Sequence, residues 1–558
     1  VIIELLVANP AIKAQAKAVW LEKVREDISG KYLIGLQFSS IAPADLKRMI
    51  GYVRWIRISS FLAAGALVIS LITAAVVGGY NYRLRRINES LVNRLIAAQQ
   101  EEIEIHAAVQ EIIKEGNVVL EQIEASADDP QEQEELRTAY DQITERKDKI
   151  EDHLAVVERE KEGLQTTVLR KMHQWLANHQ DPSTGLVLSA EGGGADIKNT
   201  AFTYDQALAV QAFLMFEDHK GARQVLNFFN ARAGDDFEGF HSAYHHASGD
   251  IAEAAIQSGP NIWIGMSALQ YVHSTGDKYY LPLARTIADW LIAMQEKDPA
   301  GGLRGGPALS WFGIEHNFDA YAFFNMMHKI TQEEKYSQAR ESALAWLKDN
   351  AMVSSARKYA LPPDDRGRGD ATLATDTYAW ALAALGPEKL KETGQDPEQI
   401  MQFAEEYSAA EVSYRRPSGI TLSVRGFDFS PEAWRPDGGS VSSEWTAQMV
   451  VCFRILSEYF VQKGDFYKAM YYEEKAQIYL GELNKLIISS PSARGRGEGC
   501  LPHGTREKAD TGHGWVTSAG TSSCSVSGTA YMIMAIKYWN PLILEKGNIR
   551  MKTMEGYL

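Results

Sequence analysis

Residues 313–324 read GIEHNFDAYAFF, with Glu315, His316 and Asp319 inside five positions before the run turns apolar. Glu315 and Asp319 are four apart and share one helical face. Two carboxyls that close push their pKa values apart, so one stays protonated as an acid while the other stays ionised. Hydrolysis of a glycosidic bond needs that division of labour across the scissile bond. A helix N-terminus favours the charged form. A carboxyl in the first turn is therefore the better base, and a more desolvated partner the better acid. The plain alternative is helix capping, since Asp and Glu are common in first turns.

Five further segments share the design of a polar or aromatic opening followed by a helix of small and apolar residues. They are FTYDQALAVQAFL from 202, NIWIGMSALQYV from 261, ATDTYAWALAAL from 374, SSEWTAQMVVCF from 442 and CSVSGTAYMIMAI from 524, which with EHNFDAYAFFNMM from 315 make six. Amphipathic runs such as KYYLPLARTIADWLIAMQ and KYSQARESALAWL alternate with these. A helix that is apolar all round is buried, and an amphipathic one turns a face to water. Six inner helices inside six outer ones make an (α/α)6 toroid whose inner N-termini gather around one funnel. The openings then supply Asp205, Glu315, Asp319, Asp376 and Glu444 as candidate acids and bases, with Asp205 and Glu315 the first pair to test. Tyr204, Trp263, Trp311, His316, Trp434, Trp445, His513 and Trp515 are candidate substrate contacts. Indole faces suit the apolar faces of sugar rings, and the indole N–H can reach a hydroxyl. His316 could equally satisfy a buried partner. Trp290 and Trp346 lie deep in outer helices, where they fill space.

The carriers QDPSTGLV (180–187), TYDQALA (203–209), NIWIGMSAL (261–269), GGLRGG (301–306), EHNFDAYAFF (315–324), DTYAWALAALGPE (376–388), SSEWTAQM (442–449) and SVSGTAYMIMA with the later NP (525–541) make residues 166–558 resemble the six-hairpin glycosidase superfamily. The resemblance implies an (α/α)6 domain. It leaves open hydrolase, lyase, phosphorylase or epimerase chemistry, because fold alone does not give activity. A glycoside hydrolase acting on exopolysaccharide or cell-envelope glycan is the expected function, and a non-catalytic glycan receptor is the alternative. No cofactor or metal is expected. The histidines of YHHASGD (244–250) lack a third ligand at metal spacing, and no Gly-rich phosphate loop follows a strand. RGRGD (366–370) and RGRGEG (494–499) read as solvated basic loops.

The rest of the 558 residues must hold and place this domain. Residues 58–82 are uncharged, about 37 Å of helix and enough for one transmembrane span. Arginines and lysines flank the span on both sides, so charge does not orient it. Residues 83–165 read as a coiled-coil stalk. Leu136, Tyr140, Ile143, Ile150, Leu154, Val157 and Leu164 keep a 4-3 heptad spacing, with Lys147 and Lys161 in its gaps. Pro130 opens a new helix, so the stalk either folds back as an antiparallel hairpin or self-associates with another chain. Residues 84–165 carry 21 acidic and 10 basic side chains, −11 of the chain's formal −15. That balance argues against nucleic acid as a partner.

In residues 1–57, the stretches Ala18-Val19-Trp20, Gly30-Lys31-Tyr32 and Gly35-Leu36-Gln37-Phe38, then Asp45 through Tyr52, resemble the C-terminal half of a PilZ domain, a small β-barrel that senses cyclic di-GMP. That family's arginine pair and Asp-x-Ser-x-x-Gly motif are missing here. Asp27 and Ser29 are present, but the glycine comes two places early. Cyclic di-GMP is thus a partner only if a preceding segment carries the motifs, and the opening on Val1 within a strand-like run points to such a segment. The resemblance puts 1–57 in the cytoplasm of a bacterium, the span in its inner membrane and 166–558 in the periplasm or outside. There Cys500 and Cys524, both in loops leading to the last inner helix, could join. A lipid bilayer and a polysaccharide or oligosaccharide complete the expected partners.

Overall fold

The computed structural model describes residues 2–5, 12–23, 32–126, 130–191, 199–351, 374–431, 439–489, 499–511, 516–517 and 523–544. The chain divides into two compact units, Val1–Arg83 and Leu84–Leu558. In the first, β1 (Ile2–Leu5), β2 (Ile12–Lys23) and β3 (Tyr32–Ile41) form an antiparallel meander in sequence order. β2 carries Trp20 and β3 carries Gly35 to Phe38, among the residues on which the PilZ resemblance rests. Among the described residues the sheet is open, and Asp27 and Ser29 lie outside them. Helix α1 (Pro43–Ala125) then begins on a proline, whose fixed φ suits a first turn. Leu67, Ile69 and Val76 on it are each more than 60% exposed, and the helix is long and apolar enough to cross a membrane.

In the second unit α1 continues to Ala125, and α2 (Pro130–Asn178) runs back along it. Arg94 pairs with Glu160 at 2.6 Å, Glu101 with His153 at 3.0 Å and Glu115 with Arg146 at 3.3 Å, an antiparallel register. Ile105, Val109 and Val157 form its small core, with Ile113, Ile150 and Leu154 against them. Lys161 fills its gap in the heptads by pairing with the buried carboxylate of Glu102. Of the two readings of 83–165, the hairpin within one chain is the one formed. It does not stand apart as a stalk. Val92, Leu95 and Ala98 belong to the main core, and Gln99 Nε2 donates to Gln477 Oε1 at 3.1 Å. The expected boundary at 166 also disappears, because α2 runs unbroken into the large core through Val168, Met172, Trp175 and Leu176.

The six apolar segments form α3 (Thr203–Met215), α5 (Ser258–Thr275), α7 (Ile314–Thr331), α9 (Thr375–Glu392), α11 (Ser443–Lys463) and α13 (Val526–Ile536). Each packs on the next and α13 packs on α3, which closes the ring. Their outer partners are α4 (His219–Asn230), α6 (Leu281–Gln295), α8 (Glu334–Asn350), α10 (Pro397–Ser408) and α12 (Phe466–Asn484). The sixth outer place belongs to the end of α2, which touches both α3 and α13. Trp263, Phe213 and Phe323 are fully buried, each stabilising the fold by roughly 1.5–3 kcal/mol.

Short strand pairs anchor the openings. β4 (Thr200–Phe202), β5 (His241–His245) and β6 (Ile251–Ile256) precede α3 and α5, and β7 (Arg304–Gly306) with β8 (Leu309–Phe312) precedes α7. β9 (Ala409–Arg415) and β10 (Thr421–Phe427) precede α11. β11 (Leu501–Pro502) and β12 (Cys524–Ser525) precede α13, where the expected bond joins Cys500 and Cys524, Cα atoms 5.4 Å apart.

Candidate active site

The opening of α11 is tied from two sides. Ser442 N donates to Phe427 O at 2.8 Å, Ser443 N donates to His503 O at 3.0 Å, and Ser442 Oγ caps the helix by accepting from Trp445 N at 3.2 Å. Glu444 is thereby presented in the first turn. The Tyr204 hydroxyl of α3, the helix beyond α13 in the ring, donates to Glu444 Oε1 at 2.7 Å, and Gln448 Nε2 donates at 3.2 Å. The opening of α9 is tied likewise. Thr375 Oγ1 donates to Asp428 O at 2.6 Å, and Thr375 N donates to Phe429 O at 3.3 Å. Asp376 follows, with Oδ1 buried and without a hydrogen-bond partner.

Beneath these partly exposed groups lies an aromatic floor. Trp380 Nε1 donates to Asp319 Oδ1 at 2.6 Å, and the Trp263 indole bonds the same carboxyl. The Trp263, Trp380 and Tyr531 rings lie 5.9–6.4 Å apart, and Tyr204 meets Trp263 edge-on at 5.2 Å. On the α7 side, Ser258 Oγ donates to Arg304 O at 2.8 Å. The serine's one proton is used there, so His316 Nδ1, 3.0 Å away, donates to Ser258 Oγ. Burial lowers the His316 pKa, and in the neutral ring Nε2 is left as an acceptor 4.0 Å from Glu315 Oε1. Two glycines make the room. A Cβ on Gly259 would lie 2.5 Å from His316 Nε2, and one on Gly313 would lie 2.6 Å from Glu315 Oε1.

Burial dominates the electrostatics. It raises Glu444 to about 7, against the pull of the Tyr204, Ser527 and Gln448 hydrogen bonds. It raises Asp376 well above the carboxylate range, and the charges of Glu315, Glu444 and Asp319 add to the rise. Asp319 is also raised well above it by burial, with the two indole bonds opposing and Glu315 adding. Asp205 is raised to about 7 by burial, with its Ser189 bond opposing and Glu444 adding. The His503 ring is pushed down to about 4 by burial and faces Ser527 Oγ at 3.4 Å. Neutral acids, a neutral imidazole and an ionisable carboxyl thus coexist in one opening, as acid–base chemistry near neutral pH requires.

Placement revises several expectations. Asp205 is 5% exposed and bonds Ser189, and Tyr204 serves Glu444 instead of its neighbour. Asp319 has its donors already and holds the floor. Trp263 and Trp445 are 1% and 7% exposed, Trp445 lying edge-on to Phe429 at 4.8 Å, so neither offers a ring face to a sugar. Trp311, half-buried and 5.5 Å from the His316 ring, remains as a wall. Trp434, His513, Trp515 and the basic loop at 366–370 lie outside the described residues. Trp380, Tyr531, Ser527 and His503 escaped the sequence reading. The first two lie inside apolar helices, where only the ring geometry aims them at the openings.

Of the YHHASGD histidines, His246 is buried against His179 O at 2.9 Å. Among the described residues, Glu102, His106 and Glu158 bring three possible ligand atoms within 4.8 Å of one another on the α1–α2 hairpin, but Glu102 is already paired with Lys161. A separate cleft at the C-terminal ends of the inner helices, lined by Tyr321, Asn325, Leu385, Glu458 and Trp539, lacks the carboxyl cluster.

No protein-family model and no curated protein matches the chain. Among solved structures it is similar to a family 76 glycoside hydrolase (mannosidase) from Bacteroides thetaiotaomicron, at 12% identity over 67% of this chain and 98% of that one, TM-score 0.42. It is similar to an alpha-amylase from Clostridium perfringens at 10% identity over 66% and 98%, TM-score 0.43. A D-mannose isomerase matches at 10% identity over 67% and 97%, TM-score 0.47. The closure of this chain's own helical ring, and no neighbour, is the ground for its architecture.

Proposed function

We propose that the unit Leu84–Leu558 is a glycan-active enzyme that hydrolyses a glycosidic bond. One observation carries the reading: Asp376 and Glu444 open adjacent inner helices, and burial raises both carboxyls, Asp376 the further of the two. Asp376, held protonated by burial and by three neighbouring carboxyls, is the acid, and its unpartnered Oδ1 leaves bonding capacity for a ligand. It gives its proton to the leaving oxygen. Glu444, near 7 and held by Tyr204 and Gln448, is the carboxylate on the other side of the bond. It attacks the anomeric carbon or takes a proton from the attacking water, and the anomer of the product distinguishes the two. Neutral His316 accepts a sugar hydroxyl at Nε2.

A second reading, proton transfer beside a sugar carbonyl as in an epimerase, is favoured by His316 and His503, two neutral imidazoles in the same opening. The test is product analysis after incubating residues 84–558 with a panel of bacterial exopolysaccharides and free hexoses. New reducing ends that vanish in Asp376→Asn support hydrolysis. A changed hexose without new ends supports the epimerase. Binding without turnover in every case supports a receptor.

For placement, we propose a single-pass bacterial membrane protein with Leu84–Leu558 on the non-cytoplasmic side. The uncharged run 58–82 and the exposed apolar side chains on α1 support the span, and the Cys500–Cys524 bond suits an oxidising compartment. The PilZ-like reading of 1–57 adds control by cyclic di-GMP where the nucleotide motifs precede it. Thiol trapping of whole cells under denaturing conditions tests the compartment: Cys452 should label directly, and Cys500 and Cys524 only after reduction.

A further inference from the structure

The β9–β10 hairpin joins α1 to the candidate acid and base. Its turn, Arg416 to Ile420, closes through Arg416 N donating to Ile420 O at 2.8 Å. Four contacts from outside the hairpin grip that turn. Arg85 of α1 donates to Pro417 O. Arg416 Nη1 donates to Asn93 Oδ1 at 3.1 Å, and Nη2 donates to Ile487 O at 3.1 Å. Glu89 Oε1 lies 3.0 Å from Arg416 Nη1, an ion pair without hydrogen-bond alignment, and its Oε2 accepts from Ser489 Oγ. Arg416 is 2% exposed, so its charge is tolerable only while these partners hold it.

At the other end of β10, about 20 Å away at strand rise, Phe427 N donates to Thr446 Oγ1 at 2.9 Å and Phe427 O accepts from Ser442 N at 2.8 Å, two residues before Glu444. Asp428 O and Phe429 O hold Thr375, the residue before Asp376. Asp428 itself accepts from Ser440 N at 2.6 Å and from Phe429 N at 2.7 Å, so this end cannot shift alone.

We infer that Arg416, clamped by Glu89 and Asn93 of α1, is a positioning residue for Asp376 and Glu444, so that the first turns of α9 and α11 follow displacements of α1. Both turns hang from one strand, whose other end hangs from the clamp. The opening of α5 is tied to β7 through Ser258 Oγ on Arg304 O, and that of α7 to Leu303 through Asn317, so among the described residues these ties do not run through β10. Because Glu89 and Asn93 lie on the helix that carries the apolar run, an event acting on α1 has a route to the acid and base. The catalytic consequence rests on the glycan-enzyme reading, and the mechanical one does not.

Hydrogen–deuterium exchange on the full chain in detergent tests the mechanical part, comparing the parent with Glu89→Gln, which loses the charge, and Arg416→Gln, which loses the fork. Exchange should rise about tenfold or more at 427–429, 375–377 and 442–446, with the first turns of α5 and α7 unchanged. A rise confined to 85–93 and 409–420, or one spread evenly over all inner helices, overturns the inference. Should Arg416→Gln fail to fold, Glu89→Gln alone decides. On any polysaccharide the parent hydrolyses, kcat should fall about tenfold in Glu89→Gln with KM kept, the pattern of displaced acid and base with intact binding. Unchanged kcat with raised exchange leaves the mechanical link and removes its catalytic role.

Discussion

At the residue scale, one carboxyl makes the site's chemistry visible in stability. The Glu444 pKa rises from 4.5 to about 7 on folding, so the folded protein holds the proton more tightly. That contribution is complete below about pH 4.5 and is lost as pH rises through 7, and Asp205 acts in the same direction. Thermal unfolding between pH 5 and 8 should show the parent losing stability, and Glu444→Gln should lose less, by on the order of 1–3 kcal/mol. The amide keeps the Tyr204 bond, so the fold should stand while turnover drops roughly 10²–10⁴-fold. Gly259 offers a second test. An added methyl 2.5 Å from His316 Nε2 must displace the imidazole. Gly259→Ala should keep the fold within about 1–3 kcal/mol, the usual cost of overpacking, and weaken glycan affinity in titration calorimetry. Unchanged affinity would remove His316 from the binding site.

At the scale of elements, the α1–α2 hairpin and the last β pair each contain a buried link. Lys161 and Glu102 are paired inside the hairpin, their side chains 11% and 5% exposed. Lys161→Met strands the carboxylate and should cost roughly 3–5 kcal/mol in urea unfolding, while Lys161→Met with Glu102→Leu should cost far less. Equal losses would mean that the pair itself supplies the stability. The Cys500–Cys524 bond closes a separation of 24 residues beside the opening of α13. Replacing both cysteines with alanine should lower stability by about 3 kcal/mol, a drop that differential scanning calorimetry reads directly. Ser443 N on His503 O follows that bond in the chain, so turnover should fall with it.

At the scale of the molecule, the hairpin and the ring are one unit. Leu91, Val92, Leu95 and Ala98 of α1 pack into the ring's core, and Gln99 bonds Gln477. Residues 166–558 alone would expose to water the apolar ring surface that these side chains cover. They should melt at a lower temperature than 84–558 and aggregate on heating, while 84–558 should melt in one cooperative step. Light scattering during thermal melts compares the two, and equal melting temperatures would mark the hairpin as a detachable spacer.

Periodicity alone determined the six buried helices, their alternation with amphipathic ones and the uncharged run, because an apolar face must be buried wherever the chain leads. It also placed Asp376 and Glu444 at helix openings, since first turns are local. Tertiary structure decided which carboxyls are free to act. Asp319 and Asp205 read like the others in sequence, yet indoles from α5 and α9 hold one and Ser189 holds the other. The heptads of 136–164 fit a partner in the same chain or another, and the apolar face at 91–98 became decisive only once it joined the ring's core. The β9–β10 clamp was illegible, because its meaning lies in contacts between residues more than 300 positions apart. Such pairings follow from ring closure, which no local pattern encodes.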